Sequence, residues 1–285
     1  MEVIRAIVLG VLQGLTEFLP ISSSAHLVIV PWLFGWKPFG LAFDTSLHLG
    51  TLVAVVVYFF KDLLAIVIGV LRGWRDLPRG RLPQDPMGRL GLYFVVATLP
   101  AAILGFVLQS AIDEHFHADT VSDAALLLVA VALMVMGLLL GLADRYASTR
   151  VGRPFEALGF REAMIVGFAQ ALALIPGVSR SGSTITAGLF AGMSRPTAAR
   201  FSFLLGVPAI FGAGLLGLVD LQQNGVPNGE GWAFVAGFLS AAIVGYLAIA
   251  GLMRFIATRS MRVFVVYRLL LGLTLLGLLA SGFRG

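Results

Sequence analysis

Polar interruptions divide this chain into apolar runs, and the lengths of those runs predict its elements. The hydrocarbon core of a bilayer, about 30 Å thick, takes roughly 20 apolar residues as a helix. Six stretches reach that length: 43–71, 90–108, 124–143, 201–219, 232–253 and 263–281. Two others are broken. Residues 3–19 run into Pro20 and Ser22-Ser23-Ser24 and resume at 25–34. Residues 162–175 run into Pro176-Gly177 and Ser179-Arg180-Ser181-Gly182-Ser183-Thr184 and resume at 185–193. Non-helical backbone at membrane depth is tolerated only where it lines a cavity or is buried in protein. Each broken stretch therefore reads as a re-entrant helical hairpin. The expected fold is an all-α polytopic membrane protein with six transmembrane helices plus two re-entrant hairpins, forming a single membrane domain over 1–285. The first stretch is expected to be retained and not cleaved as a signal peptide, because it carries Glu2, Gln13 and Glu17 and lacks a convincing cleavage site.

The loops predict orientation. Loop 72–89 carries Arg72, Arg75, Arg79, Arg81 and Arg89; loop 144–162 carries Arg145, Arg150, Arg153 and Arg161; segment 254–262 carries Arg254, Arg259 and Arg262. Loop 109–123 holds Asp113, Glu114, Asp119 and Asp123, loop 220–231 holds Asp220 and Glu230, and neither holds Lys or Arg. The positive-inside rule places the first set in the cytoplasm. Both termini then lie outside, the first hairpin enters from outside, and the second enters and leaves inside.

The halves also resemble each other. A shift of 157 residues sets Gly10, Gln13, Leu15, Ser22 and Ser24 on Gly167, Gln170, Leu172, Ser179 and Ser181, 5 identities in the 17 positions from 10 to 26. Leu49-Gly50 meets Leu205-Gly206 after one gap. With one hairpin and three spans per half, repeat 1 (about 1–143) and repeat 2 (about 162–281) form an inverted-topology repeat. In such folds the site sits near the midplane, where the broken helices meet.

Composition supports this class. Hydrophobic residues make up 58% and charged residues 12%, against roughly 45–50% and 25% in soluble domains. A mean hydropathy of +0.94 excludes a disordered chain. The formal charge of +5 arises from Arg distributed between apolar runs, so no nucleic-acid partner is expected. The chain has no Cys, which excludes thiolate chemistry.

Ionisable groups at membrane depth are costly and therefore mark candidate sites. Glu17 lies one turn from Gln13, on a helical face that ends at the Pro20 break beside Ser22, Ser23, Ser24 and His26. Arg180 stands among Ser179, Ser181, Ser183 and Thr184. If the breaks meet, one pocket holds a carboxylate, an imidazole, a guanidinium and several hydroxyls. Half-helices starting near Ser24 and Ser183 would aim free N–H groups into it, and helix starts bind phosphate. Arg adds bidentate phosphate recognition. Asp44, His48 and Thr51 share one face of the first span and form a candidate second wall, with a structural role equally open for Asp44 and His48. Ser22 and Ser179 also read as helix caps, and Gly137/Gly141 and Gly188/Gly192 as close packing. His115 and His117 read as solvated.

The stretches Gln13-Gly14-Leu15-Thr16-Glu17-Phe18-Leu19-Pro20-Ile21-Ser22-Ser23-Ser24-Ala25-His26 and Pro176-Gly177-Val178-Ser179-Arg180-Ser181-Gly182-Ser183-Thr184 resemble the two hallmark motifs of the undecaprenyl-diphosphate phosphatase family, the bacitracin-resistance integral membrane type. Phe43-Asp44 through His48-Leu49-Gly50-Thr51 is similar to that family as well. The family's acidic motif is often Glu-x-x-x-Glu, and Gln13 stands at its first position here. The resemblance implies an inner-membrane enzyme that hydrolyses undecaprenyl diphosphate to the monophosphate carrier of cell-wall synthesis. It implies an outward-facing site, a polyprenyl diphosphate substrate and dependence on a divalent cation (Mg or Ca), which Glu17 and substrate oxygens would mainly hold. It carries over Glu17, Ser23, His26 and Arg180 as catalytic residues, with Gln13 beside Glu17. Gln13, Ser24, Ser179, Ser181, Ser183 and Thr184 are expected to bind substrate. A homodimer is compatible with this reading.

Three routes of attack on the terminal phosphorus stay open: His26 as nucleophile, Ser23 activated by His26, or water with His26 or Glu17 as base. The competing function is a flippase or transporter of the polyprenyl phosphate carrier, since inverted repeats commonly serve alternating access. An ion-coupled symporter fits less well, because each hairpin offers at most one acidic residue.

Overall fold

The computed structural model describes residues 2–37, 39–75, 77–116, 121–224 and 230–283. His117 and Asp119 lie outside them. The chain runs α1 (Glu2–Phe18), α2 (Ser23–Phe34), α3 (Leu41–Tyr58), α4 (Phe60–Gly73), α5 (Pro86–Phe116), α6 (Asp123–Ser148), α7 (Phe160–Leu172), α8 (Arg180–Phe190), α9 (Arg195–Asn224), α10 (Gly231–Ile256) and α11 (Arg262–Ala280), with short 3₁₀ turns at Leu77–Arg79 and Phe155–Ala157. Among the described residues six helices are long and apolar enough to cross a membrane, within α3, α5, α6, α9, α10 and α11. These are the six expected spans.

The first differs in one respect. The run 43–71 is not one helix: it breaks at Phe59, which leaves helical geometry (φ −99°, ψ 25°) between α3 and α4. Phe59 turns inward onto Phe203, while Asp62, three residues on, pairs with Arg200 of α9. An ion pair and a buried ring thus end the span where its apolar pattern continues.

Each interrupted stretch forms two short helices around a break, α1/α2 and α7/α8. The second helices start earlier than expected, at Ser23 and Arg180. Ser22 and Ser179 take the N-cap position, each accepting from the backbone N–H three residues on (Ala25 at 3.3 Å, Gly182 at 3.0 Å). Most of each polar tract therefore forms a first helical turn instead of a loop.

The two stretches pack reciprocally. Helix α1 lies on α10, and α7 lies on α5. Gly10 and Gly167, which coincide under the 157-residue shift, are the contact points: a Cβ on Gly10 would collide with the Gly237 carbonyl, and one on Gly167 with the Ala97 carbonyl. Helices α3 and α9 meet each other, and α11 lies along α6. The largest core gathers Phe18, Phe59, Phe94, Phe201 and Phe203 around α9. Gly192, expected as a packing residue, has no neighbour within 4 Å of where its Cβ would be and instead carries a positive φ of 87° just beyond α8, a glycine helix stop.

Candidate active site

The two breaks meet. Glu17, at the end of α1, is 5% exposed and anchors a cluster drawn from four helices. Its Oε1 accepts from Arg180 Nη2 at 2.9 Å and Nε at 3.3 Å. Its Oε2 accepts from Ser23 Oγ at 2.6 Å and Gln13 Nε2 at 3.1 Å. His48 Nε2 of α3 stands 3.8 Å from the same oxygen. The side chain of Arg180 also donates to the Ser202 carbonyl at 3.3 Å. A Cβ on Gly206 would overlap the guanidinium, so only glycine leaves room for it. Pairing and a full set of hydrogen bonds are what make a buried charge tolerable.

Local backbone explains how these groups are aimed. Ser22 and Ser179 are the only described non-glycine residues with positive φ, at 77° and 75°. Such backbone costs roughly 1–3 kcal/mol and persists where surroundings enforce it. Here it reverses the chain within a few residues, so that the helix starts bearing Ser23 and Arg180 come to face the end of α1. Ser23 and Ser24, and likewise Arg180 and Ser181, precede the first intrahelical bond of their helices, which leaves their N–H groups without a partner inside the helix. Ser181 Oγ donates to the Leu19 carbonyl at 3.1 Å, joining the second break to the first.

Other expected residues are occupied within the protein. Ser22 and Ser24 share a hydrogen bond of 3.2 Å, and so do Ser179 and Ser181. Ser183 and Thr184 bond back to the Arg180 carbonyl at 3.1 and 2.6 Å, and Thr184 also meets Ser202 Oγ at 2.6 Å. These buried hydroxyls fix the turn that carries Arg180. Thr51 bonds to the His48 carbonyl at 2.8 Å and holds the same wall.

His26 takes another direction. Its Nδ1 donates to the Ser22 carbonyl at 2.6 Å, and its Nε2 lies 2.6 Å from the Tyr267 hydroxyl of α11. It makes no bond to Ser23, whose hydroxyl goes to Glu17. The Ser23–His26 pair that one sequence route required is therefore replaced by Ser23–Glu17 and Tyr267–His26.

Sequence reasoning missed Arg268. It is fully buried in α11, and its partners are backbone carbonyls: Pro20 at 3.1 Å from the first break, Gly177 at 2.7 Å and Val178 at 3.0 Å from the second, and Leu133 at 3.0 Å from α6. One guanidinium thus clasps both breaks. A lone Arg inside the apolar run 263–281 was the available signal, whereas Arg180 stood out in a polar break.

A divalent cation suits this donor set. Gln13 Oε1 is buried with no hydrogen-bond partner, a carbonyl-type oxygen one turn from the Glu17 carboxylate. Hard cations take oxygen ligands, and Mg²⁺ commonly uses one or two carboxylates together with substrate phosphate oxygens. Among the described residues no group of three His, Asp or Glu side chains gathers to hold a metal alone, so substrate oxygens would complete the shell.

The sequence matches the family described as bacitracin resistance protein BacA over residues 6–274. It is 52% identical over 277 residues to an undecaprenyl-diphosphatase of Thermomicrobium roseum, covering 97% of this chain and 98% of that one. It is 47% identical over 272 residues to an undecaprenyl-diphosphatase of Geobacter sulfurreducens (95% and 96% covered) and 42% identical over 285 residues to that of Pelobacter propionicus (100% of both). Paired breaks, a buried carboxylate–guanidinium contact between them and similarity along the whole length agree: this chain belongs to the bacitracin-resistance BacA family.

Proposed function

We propose that this integral membrane protein hydrolyses undecaprenyl diphosphate to undecaprenyl phosphate and inorganic phosphate, recycling the lipid carrier of cell-wall synthesis. The observation that carries the residue-level reading is the short Ser23–Glu17 contact of 2.6 Å beside Arg180. A hydroxyl bonded to a carboxylate is an activated nucleophile next to its base.

Arg180 exchanges one bond to Glu17 for the terminal phosphoryl oxygens, and the free N–H groups at the starts of α2 and α8 add donors. Fixed donors aimed at the developing charge are commonly the largest catalytic contribution in phosphoryl transfer. The Ser23 Oγ–phosphorus bond forms as the bond from phosphorus to the bridging oxygen breaks. The Ser23 proton passes to Glu17, and undecaprenyl phosphate leaves. Water then cleaves the phosphoserine, and the Ser23 oxygen regains a proton from Glu17. A divalent cation would be held by Gln13 Oε1 and the Glu17 carboxylate together with substrate phosphate oxygens, and would neutralise phosphate charge.

The arrangement of Arg-rich and acidic loops supports an inner-membrane location with both termini and the site on the outer side. The shared geometry at Ser22 and Ser179 and the reciprocal Gly10 and Gly167 contacts support the two inverted repeats. The test is phosphate release from undecaprenyl diphosphate by the detergent-purified protein, followed by acid quenching. An acid-stable phosphoenzyme that maps to Ser23 and is absent in Ser23→Ala is expected. An acid-labile adduct on His26 would overturn the assignment of the nucleophile, and lipid movement in vesicles without phosphate release would overturn the hydrolase reading.

A further inference from the structure

The Ser23–Glu17 pair accounts for the first transfer but leaves the attacking water of the second without a base. Among the described residues a hydrogen-bonded pair of side chains, His26 (one turn from Ser23) and Tyr267, offers one. The Ser22 carbonyl can only accept, so Nδ1 of His26 carries the hydrogen, and in the neutral ring the lone pair lies on Nε2. That lone pair meets the Tyr267 hydroxyl at 2.6 Å, with the two rings stacked at 5.7 Å and nearly parallel (10°). Hydroxyl, imidazole and an orienting acceptor stand in line, the arrangement by which a histidine draws a proton through a hydroxyl group.

Position makes the arrangement useful. Ser23 and His26 lie one turn apart on one face of α2, so their Cβ atoms are about 5–6 Å apart. His26 is 6% exposed whereas Tyr267 is 41% exposed. The nitrogen is thus closed off by the hydroxyl that covers it. A hydroxyl donates and accepts at once. The neighbouring Arg268 pins α11 to both breaks, which fixes where Tyr267 stands.

We propose that Tyr267 and His26 form the proton relay that activates the water for hydrolysis of the phosphoserine, with Tyr267 as the group that touches the water. As the water oxygen bonds to phosphorus and the bond from phosphorus to Ser23 Oγ breaks, a water proton passes to the Tyr267 oxygen while the Tyr267 proton passes to His26 Nε2. The Ser23 oxygen takes the proton held by Glu17. His26 returns its proton through Tyr267 to the inorganic phosphate as it leaves. This rests on the reading of Ser23 as nucleophile.

The test is Tyr267→Phe, which keeps the ring and its stack, in the detergent-purified full chain with undecaprenyl diphosphate. General acid–base help is worth roughly 10²–10⁴-fold, so kcat is expected to fall about 100-fold or more. Because only the second step is affected, KM falls with it, kcat/KM stays within a few-fold of the wild type, and phosphoserine accumulates on Ser23 toward one per chain. A variant with wild-type kcat would overturn the relay. So would a kcat/KM that drops as far as kcat without phosphoserine accumulating, because that pattern marks a defect in binding or folding. His26→Gln is expected to accumulate the same phosphoserine, and its failure to do so would also count against the relay. Ser23→Ala with retained turnover would overturn the underlying reading instead, whatever Tyr267→Phe does.

Discussion

The break at Ser22 and the break at Ser179 share a backbone and differ in chemistry. Both caps have a φ near 75°, both accept from the third N–H of the following helix, and both pair with the serine two residues on at 3.2 Å. The residues laid on that frame diverge. Under the 157-residue shift, Glu17 faces Leu174, Ser23 faces Arg180 and His26 faces Ser183. The first break thus carries the acid, the hydroxyl and the imidazole, while the second carries the cation and a set of hydroxyls turned inward to hold it. One turn geometry thus occurs twice with different side chains, and in the proposed mechanism the first break reacts while the second clamps.

The comparison breaks most severely when the contact between halves is lost. Arg180→Ala and Glu17→Ala should each reduce phosphate release by at least 10²–10³-fold, the usual loss for one transition-state donor. Each also strands the other's charge, a cost of about 3–5 kcal/mol for a buried pair, so melting temperature should be measured alongside turnover.

Arg268→Leu ranks next. It leaves the Pro20, Gly177 and Val178 carbonyls without their donor, and a buried group left unpaired costs roughly 1–3 kcal/mol. The expected result is a lower melting temperature together with at least a tenfold loss of turnover. Arg268→Lys should recover only part of both, because one ammonium cannot reach carbonyls on both breaks. A variant with unchanged melting and turnover would show that the breaks stay together without the clasp.

Gly10→Ala and Gly167→Ala test whether the halves are mechanically equivalent. Each new methyl meets a backbone carbonyl across the repeat, and overpacking of that kind costs about 1–3 kcal/mol. Similar losses of stability are expected from both, with turnover affected more by Gly10→Ala because α1 carries Glu17.

The smallest effect is expected from the caps. Ser22→Ala and Ser179→Ala each remove one N-cap bond, worth about 1 kcal/mol. Both should unfold at slightly lower temperature and keep most activity, and a large activity loss from either alone would place its hydroxyl on the substrate.

Much of this was legible in the sequence, because membrane insertion imposes strong patterns. Six apolar runs became six spans, and two polar interruptions became two breaks. Glu17 and Arg180 stood out because charge is rare at such depth, and they do meet. The rest depended on partners that sequence does not display. Phe59 ends α3 because of Phe203 and an Asp62–Arg200 pair formed 138 residues apart. The half-helices begin at Ser23 and Arg180 because serine caps adopt left-handed backbone, which no pattern of hydrophobicity reports. Arg268 was read as part of an apolar run, and its partners are carbonyls, which every residue has. Tyr267 looked like any aromatic in a span until its hydroxyl was seen on His26.

The central claim is that the two breaks form one reaction centre through Glu17 and Arg180. A double-mutant cycle on kcat/KM for undecaprenyl diphosphate tests it most directly, using Glu17→Gln, Arg180→Gln and the pair together. Residues that act as a unit are strongly non-additive. The expected result is that the double variant loses little more than the worse single variant. Losses that multiply, each independent of the other, would contradict a single centre shared between the halves.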